Sequence, residues 1–414
     1  MKQVTLDSQI VKGKITLGRG NVISSKDIAN KPGSYPIYSS SAQGKGEFGR
    51  YADFMFDEEL ITWSVDGGGR FFFRNKHKFS VTNVCGYMRI DESKWNTQFV
   101  YYSLDLQHAK MAFDYQMKAH PSVIRYIYTL SEILQPEQAK IAEILSTIDQ
   151  AIEQTKDLVA KQQRFKTGLM QDLLTRGIDA HGNVRSEQIH EFKDSPLGRI
   201  PVEWEAVQLD DVIKTIDAGW SPSCEDVTPA QGEWGVLKVS AISAGIFDPA
   251  ESKRLPLQLK PVLSLEVRPN DVLISRANGV TELVGRCVYV HKTPNKLMLS
   301  DKTLRLNPKV EKITPFMLSL QLITENARRQ ILNFISGSSG QKNLSQKQIG
   351  SILIALPPIY EQQVTCSIIL HASEQLESDV ANLSKLQTLK TALMQDLLTG
   401  RKRVTSLLTR ALLN

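Results

Sequence analysis

Between Glu137 and Thr175 the chain carries no proline and one glycine, and Ile141, Leu145, Ile148, Ile152 and Val159 recur at spacings of three, four or seven. That period draws one apolar seam along a helix and comes close to a heptad repeat. Pro136 suits a first helical turn, where its missing N–H costs nothing, and Gly177 suits a C-terminal stop. About 39 residues rising 1.5 Å each give a rod of roughly 60 Å, and a helix that long needs a partner for its stripe. The sequence offers one. KTGLMQDLLTRG at Lys166–Gly177 returns as KTALMQDLLTGR at Lys390–Arg401, an offset of 224 residues that holds without a gap back to Glu137-Gln138 and Glu361-Gln362. The period is too long for a solenoid of short units, so half of the protein is written twice and the two helices are expected to pair.

The intervening pattern is different. Residues 1–135 alternate short β-rich runs (ELITWSV, RFFFRN, KFSVTNVCGYMRI) with turn signals such as KPGSYP and DGGG, and Phe99–Ala119 reads as helical. Residues 178–203 are polar, contain Gly and Pro, and read as a connector and the way into a second domain. Residues 204–356 are again mixed, with strand-like runs, a helical stretch over Thr314–Phe334 and the small-residue turn SGSSGQK. A fainter echo links the two mixed segments: FDEELIT at Phe56–Thr62 resembles PNDVLIS at Pro269–Ser275. The expected order is a first domain at 1–135, a helix at 136–177, the connector, a second domain at 204–356, a second helix at 357–400 and a basic tail at 401–414.

Composition adds limits. The 414 residues carry Lys+Arg 50 against Asp+Glu 44, a net charge of +6, which is weak evidence of polyanion binding by itself. The excess lies between the repeats: 17 cations against 13 anions in 1–135 and 20 against 18 in 191–356. No apolar run is long enough for a membrane span, and the N-terminus lacks the apolar core of a signal peptide. Cys85, Cys224, Cys287 and Cys366 stand singly, which favours neither a zinc site nor a disulfide framework, and a reducing cytoplasm is the expected compartment.

Domain, helix with Glu-Gln near its start and LMQDLLT near its end, second domain, second such helix: this order resembles the specificity subunit of type I restriction–modification enzymes. DSPLGRIPVEWE resembles the opening of that family's recognition domains, and IALPP followed by Glu361-Gln362 resembles their exit into the spacer helix. The first domain departs from the pattern: it has no counterpart of DSPLGRIPVEWE, and its exit reads SEILQPEQ without the double proline. The resemblance implies two mixed α/β target-recognition domains on two long antiparallel coiled-coil helices. It implies that each domain reads half of a split duplex target, and that the helices set the gap and dock two adenine methyltransferase subunits, which a motor-nuclease subunit joins. S-adenosylmethionine, ATP and Mg²⁺ would then belong to those partners, with no catalytic residue, cofactor or metal site in this chain.

Candidate contact residues follow from residue type and position. In the first domain Lys12, Lys14, Arg19, Lys45, Arg70, Arg74, Lys118 and His120 fall in loops and at strand ends, where cations suit phosphate contacts and a few reach guanine edges. In the second, Arg276 and Asn278 directly follow a strand, and Ser338, Gln341 and Lys342 lie in a small-residue loop able to approach a backbone closely. For the cations the competing reading is solvated surface charge. Met170, Gln171 and Asp172, with Met394, Gln395 and Asp396, sit at equivalent helix ends and suit repeated contacts to a protein partner, or simply a solvated face. The 20 of 30 aromatic residues that fall in the first domain read as core, because duplex reading needs no stacking platform.

Competing readings are thinner. SGSSGQK lacks the GxxxxGK[ST] spacing of a phosphate loop. LPPIY lacks the leading Asn or Asp of an amino-methyltransferase motif, and the ExK triplets at Glu92 and Glu251 are common by chance. A stand-alone DNA-modifying enzyme and a coiled-coil adaptor without DNA preference remain the alternatives.

Overall fold

The computed structural model describes residues 2–40, 44–66, 68–111, 118–335 and 342–408. The chain divides into two units, Met1–Val159 with Asp379–Asn414, and Ala160–Ser378. Each long helix, Gln135–Thr175 or Ile359–Leu398, gives one half to each unit.

In the first unit six strands form one sheet in the spatial order Ile15–Arg19, Cys85–Ile90, Phe56–Ser64, Phe71–Val81, Tyr35–Tyr38 and Glu47–Tyr51. All pairs are antiparallel except Tyr35–Tyr38 with Phe71–Val81. The central strand FDEELITWS ends in five buried residues, as a strand covered on both faces requires. Ile61 and Trp63 point into a core shared with Phe99, Tyr102 and Leu104 of the helix Thr97–His108, and Leu60 points into a second core with Tyr38, Phe79 and Val81. Ile141, Ala142 and Leu145 of the first long helix join the larger core together with Met394, Leu397 and Leu398 of the second. The two run antiparallel here: Glu137 meets Arg403 while Asp149 meets Lys390 at 2.7 Å.

The second unit repeats this plan with different residues. Ile213–Ala218, Thr303–Pro308, Val272–Ser275 and Cys287–Tyr289 form an antiparallel sheet in that order. Gly235–Leu237 pairs antiparallel with Ser252–Arg254 and parallel with Leu297–Met298, as Tyr35–Tyr38 does with Glu47–Tyr51 and the end of Phe71–Val81. What is one 11-residue strand in the first unit is two short strands here. Val272–Ser275 holds the place of Phe56–Ser64, so the faint FDEELIT/PNDVLIS echo marks equivalent central strands. Both domains also close alike: Gln3–Thr5 pairs with Thr129–Ser131, and Glu205–Gln208 with Leu353–Leu356. The end of the first long helix packs Leu173 and Leu174 against Cys366 and Ile369 near the start of the second.

Three expectations need correction. The helix read over Phe99–Ala119 ends at His108; Ala119 instead gives its N–H to the Val65 carbonyl at 3.0 Å, a tertiary bond that overrides local helix preference. The stretch Thr314–Phe334 is two helices, Pro315–Leu322 and Glu325–Phe334, the second capped by the Thr324 hydroxyl. The connector is more than a polar link. It folds the hairpin Phe192–Ser195/Gly198–Pro201, whose Ile200 packs on Trp204 and Ala355, and it buries Arg185.

Candidate nucleic-acid interface

One backbone clip organises the far end of each sheet. In the first unit Ser64 pairs with Cys85 and Trp63 with Phe71, so Val65 and Arg70 lie at that end. The Ala119 N–H closes on Val65, and the Trp63 indole N–H donates to the Ala119 carbonyl at 2.7 Å. In the second unit Ser275 pairs with Thr303, and the Leu344 N–H closes on the Arg276 carbonyl at 2.9 Å. Ala119 and Leu344 are buried, and each leads into a short helix, capped by His120 in one case and Ser345 in the other. The clips are equivalent; the side chains they present are not.

At the first clip Lys118 is exposed and paired with Asp66 at 2.9 Å, and the His120 ring caps the helix Pro121–Ile127 through Nδ1. Arg70 is exposed with its guanidinium 5.1 Å from the centre of the Phe72 ring. Arg19, at its strand end, donates to the Asn83 carbonyl at 2.7 Å, and the exposed Lys45 accepts from Arg74 through its carbonyl. Arg74 corrects the reading of these cations as surface groups in loops. It lies within Phe71–Val81, is 5% exposed, donates to Thr62 Oγ1 at 2.9 Å and stacks 3.5 Å from the Tyr38 ring centre. Burial pushes its pKa down. Lys12 and Lys14 are at the opposite end of the sheet, because Ile15 pairs with Ile90; Lys14 is bound to Asp91 at 2.8 Å.

The second clip gathers more cations than the sequence singled out. Arg276 is exposed, and its N–H donates to the Lys302 carbonyl at 2.8 Å. The Ser275 N–H donates to the Arg286 carbonyl at 2.9 Å. Three adjacent strand ends therefore carry the exposed side chains Arg286, Arg276 and Lys302. Arg328 braces the same loop through the carbonyls of Thr281, Glu282 and Val284; burial first, then the Arg286 cation, push its pKa down. Asn278 pairs with Lys342 in a two-residue strand, and its side chain turns back to the Val280 N–H at 3.0 Å. Ser338 and Gln341 lie outside the described residues. Sequence reasoning missed Arg286 and Lys302 because only strand pairing brings them beside Arg276; their one local signal is a cation at the start of a β-rich run.

The helix-end residues divide between surface and core. Gln171 and Gln395 are exposed, Asp172 pairs with Arg176 and Asp396 with Lys402. Met394 is 6% exposed in the first unit's core, which corrects its reading as a partner-facing residue. Met170 is half-buried and, with Gln171, lines a 410 Å³ groove completed by Leu197, Arg199 and Asn326. Among the described residues no group of three or more His, Cys, Asp or Glu side chains is placed to hold a metal ion, and no helix is long and apolar enough to cross a membrane.

The Glu-Gln pair that opens each repeat forms the joint between domain and helix. Gln138 accepts from the Asn96 N–H at 2.8 Å and donates to the carbonyls of Lys94 (3.2 Å) and Ile133 (2.9 Å). Gln362 accepts from the Thr314 N–H at 3.0 Å and donates to Lys312 (2.8 Å) and Pro357 (2.9 Å). Asn96 and Thr314 are both helix caps, so one bonding scheme occurs twice on different neighbours.

Comparison with known proteins identifies the family and the fold. The profile of the "Type I restriction modification DNA specificity domain" matches residues 13–162 and 201–388. The type I restriction enzyme EcoEI specificity subunit of Escherichia coli is 34% identical over 193 residues, 45% of this chain but 32% of that protein. The MjaVIII specificity subunit of Methanocaldococcus jannaschii is 24% identical over 358 residues, 84% of this chain and 80% of its own length. Among solved structures, a type I restriction-modification S subunit from M. genitalium superposes with a TM-score of 0.61 at 16% identity, covering 96% of each chain, which speaks to the fold alone.

Proposed function

The chain belongs to the type I restriction–modification DNA-specificity family, and from that membership we propose that it is the sequence-reading subunit of a modification and restriction complex. Each domain reads one half of a bipartite duplex target. The long helices set the unread gap and carry two docking sites for adenine methyltransferase subunits, and a motor-nuclease subunit completes the assembly. The chain itself performs no chemistry; S-adenosylmethionine, ATP and Mg²⁺ are used by the partners, in the cytoplasm.

The observation that supports this most directly is the repeated clip. Equivalent backbone bonds, Ala119 to Val65 and Leu344 to Arg276, hold unlike side chains at the ends of the two sheets. Like scaffolds with unlike edges suit a reader of two different half-sites. The near-identical helix ends, KTGLMQDLLT and KTALMQDLLT, suit two copies of one partner, which need equivalent berths. Exposed cations at the second clip supply phosphate contacts or the bidentate donors that guanine accepts.

Methylome sequencing of a host that expresses this chain with its methyltransferase tests the reading. The expected result is one bipartite motif with adenine methylation in both halves. A contiguous motif, or methylation by the chain on its own, overturns it.

A further inference from the structure

Each long helix begins with a buried carboxylate held by a chain segment from beyond the other helix. Glu361, wholly buried, receives four donors. The Ile178 N–H (2.8 Å) and Arg185 Nη1 (2.6 Å) reach Oε1, and Arg185 Nη2 (3.1 Å) and the Trp204 indole N–H (3.0 Å) reach Oε2. Ile178 and Arg185 follow the end of the first long helix. In the first unit Glu137, also wholly buried, receives the Val404 N–H (3.2 Å) and Arg403 Nε (2.8 Å) on Oε1, and Arg403 Nη2 on Oε2. Those residues follow the end of the second helix. The neighbouring glutamines bind the domain's own backbone. Each Glu-Gln pair therefore joins three things: a domain, the helix leaving it, and the chain returning from the opposite helix.

The repeat offset does not produce this scheme. Arg185 and Arg403 differ by 218 positions, not 224, and among the described residues Trp204 has no counterpart in the first unit's clamp. Two different segments arrive at the same carboxylate geometry. A buried ion pair is about neutral against a well-packed apolar replacement, so net stability does not account for it. Directed charge-assisted bonds do something apolar packing does not: they admit one distance and one angle.

We propose that Glu137 and Glu361 are positioning residues. Each fixes the angle at which a recognition domain is mounted on the helix pair, and so the strictness with which the gap of the bipartite target is measured. This rests on the specificity-subunit reading above. The two mounts differ in rigidity. Arg185 is 2% exposed and Arg403 47%, so the first domain is the more easily loosened.

The test uses the complex with its methyltransferase and a duplex library in which the gap varies by a base pair either way. Glu137→Gln removes the charge, and Arg403→Met cuts the clamp from its exposed side should the first variant fail to assemble. Ile152→Val in the same unit is the control, a buried seam residue outside the clamp. The expected result is that both clamp variants keep the bases read while the preference for the cognate gap falls by about tenfold, one step of roughly 1.4 kcal/mol, and that the control keeps its preference. Unchanged gap preference in clamp variants that methylate, equal loosening in Ile152→Val, or altered bases each overturn the assignment. A wild-type complex with no bipartite motif sinks the specificity reading itself, a separate failure.

Discussion

Arg185 and Glu361 lie 176 residues apart in sequence and are joined by two hydrogen bonds, of 2.6 and 3.1 Å, with side chains 2% and 0% exposed. Removing one member of a buried pair strands the other charge, which costs about 3–5 kcal/mol. Arg185→Met is therefore expected to destabilise the chain by that amount in chemical denaturation. Replacing both residues by apolar ones of similar volume is expected to recover only part of the loss, because the Ile178 and Trp204 N–H groups that also bind Glu361 lose their acceptor.

Gly177 sits against this pair with φ +63°; a Cβ there would lie 2.0 Å from Glu361 Oε1 and 2.4 Å from the Trp204 ring. Left-handed backbone costs a non-glycine residue about 1–2 kcal/mol, and the collision adds overpacking of about 1–3 kcal/mol. Gly177→Ala is expected to lower the melting temperature clearly, whereas Gly168→Ala, with open space around it, leaves it unchanged or raises it.

The Arg403 guanidinium, with the Val404 N–H, holds the Glu137 carboxyl below the usual carboxylate range. A depressed pKa contributes stability that is present above the unfolded value, about 4.3, and lost as pH falls through the lower folded value. Wild type is expected to melt progressively earlier as pH drops below about 4.3, and its advantage over Glu137→Gln is expected to narrow in that window. Melting curves of both proteins at stepped pH check this; a constant difference across the window contradicts it.

Arg276 stands exposed on a clip held by two backbone bonds, and Lys14 is tied to Asp91 at the other end of its sheet. Arg276→Ala is expected to weaken duplex binding by the complex by about 1–3 kcal/mol and relax one base position if it reads a base, or to reduce the salt slope by about one if it binds phosphate. Lys14→Ala is expected to change neither. Affinity measured against salt concentration separates the cases.

Arg74 is a cation that supports the fold. Arg74→Ala removes the bond to Thr62 and the ring contact with Tyr38, so it is expected to lower stability by about 1–3 kcal/mol, with duplex affinity unchanged once the protein is folded.

Legibility followed range along the chain. Of the seam, Ile141, Leu145 and Ile152 are buried and Ile148 and Val159 half-buried, because a helix writes its contacts at fixed local spacing. The echo between Phe56–Thr62 and Pro269–Ser275 marks equivalent central strands, since a strand buried on both faces must be apolar wherever it occurs. Arg286 and Lys302 were not legible, since strands pair across long loops whose closure leaves no periodic trace. Arg74 was misread for the same reason: a cation in a β-rich run looks the same whether it faces water or the Tyr38 ring.

The amino-acid sequence by itself determined that this protein is a duplicated body with two helical halves and two unlike domains, because near-identity at a fixed offset and 3.6-residue periodicity are local properties of the chain. Only the tertiary structure decided which cations share an edge, which are buried, and that the Glu-Gln pairs bind the chain returning from the opposite helix. Those outcomes depend on which distant backbone groups are left needing partners once water is excluded, and that is settled by packing.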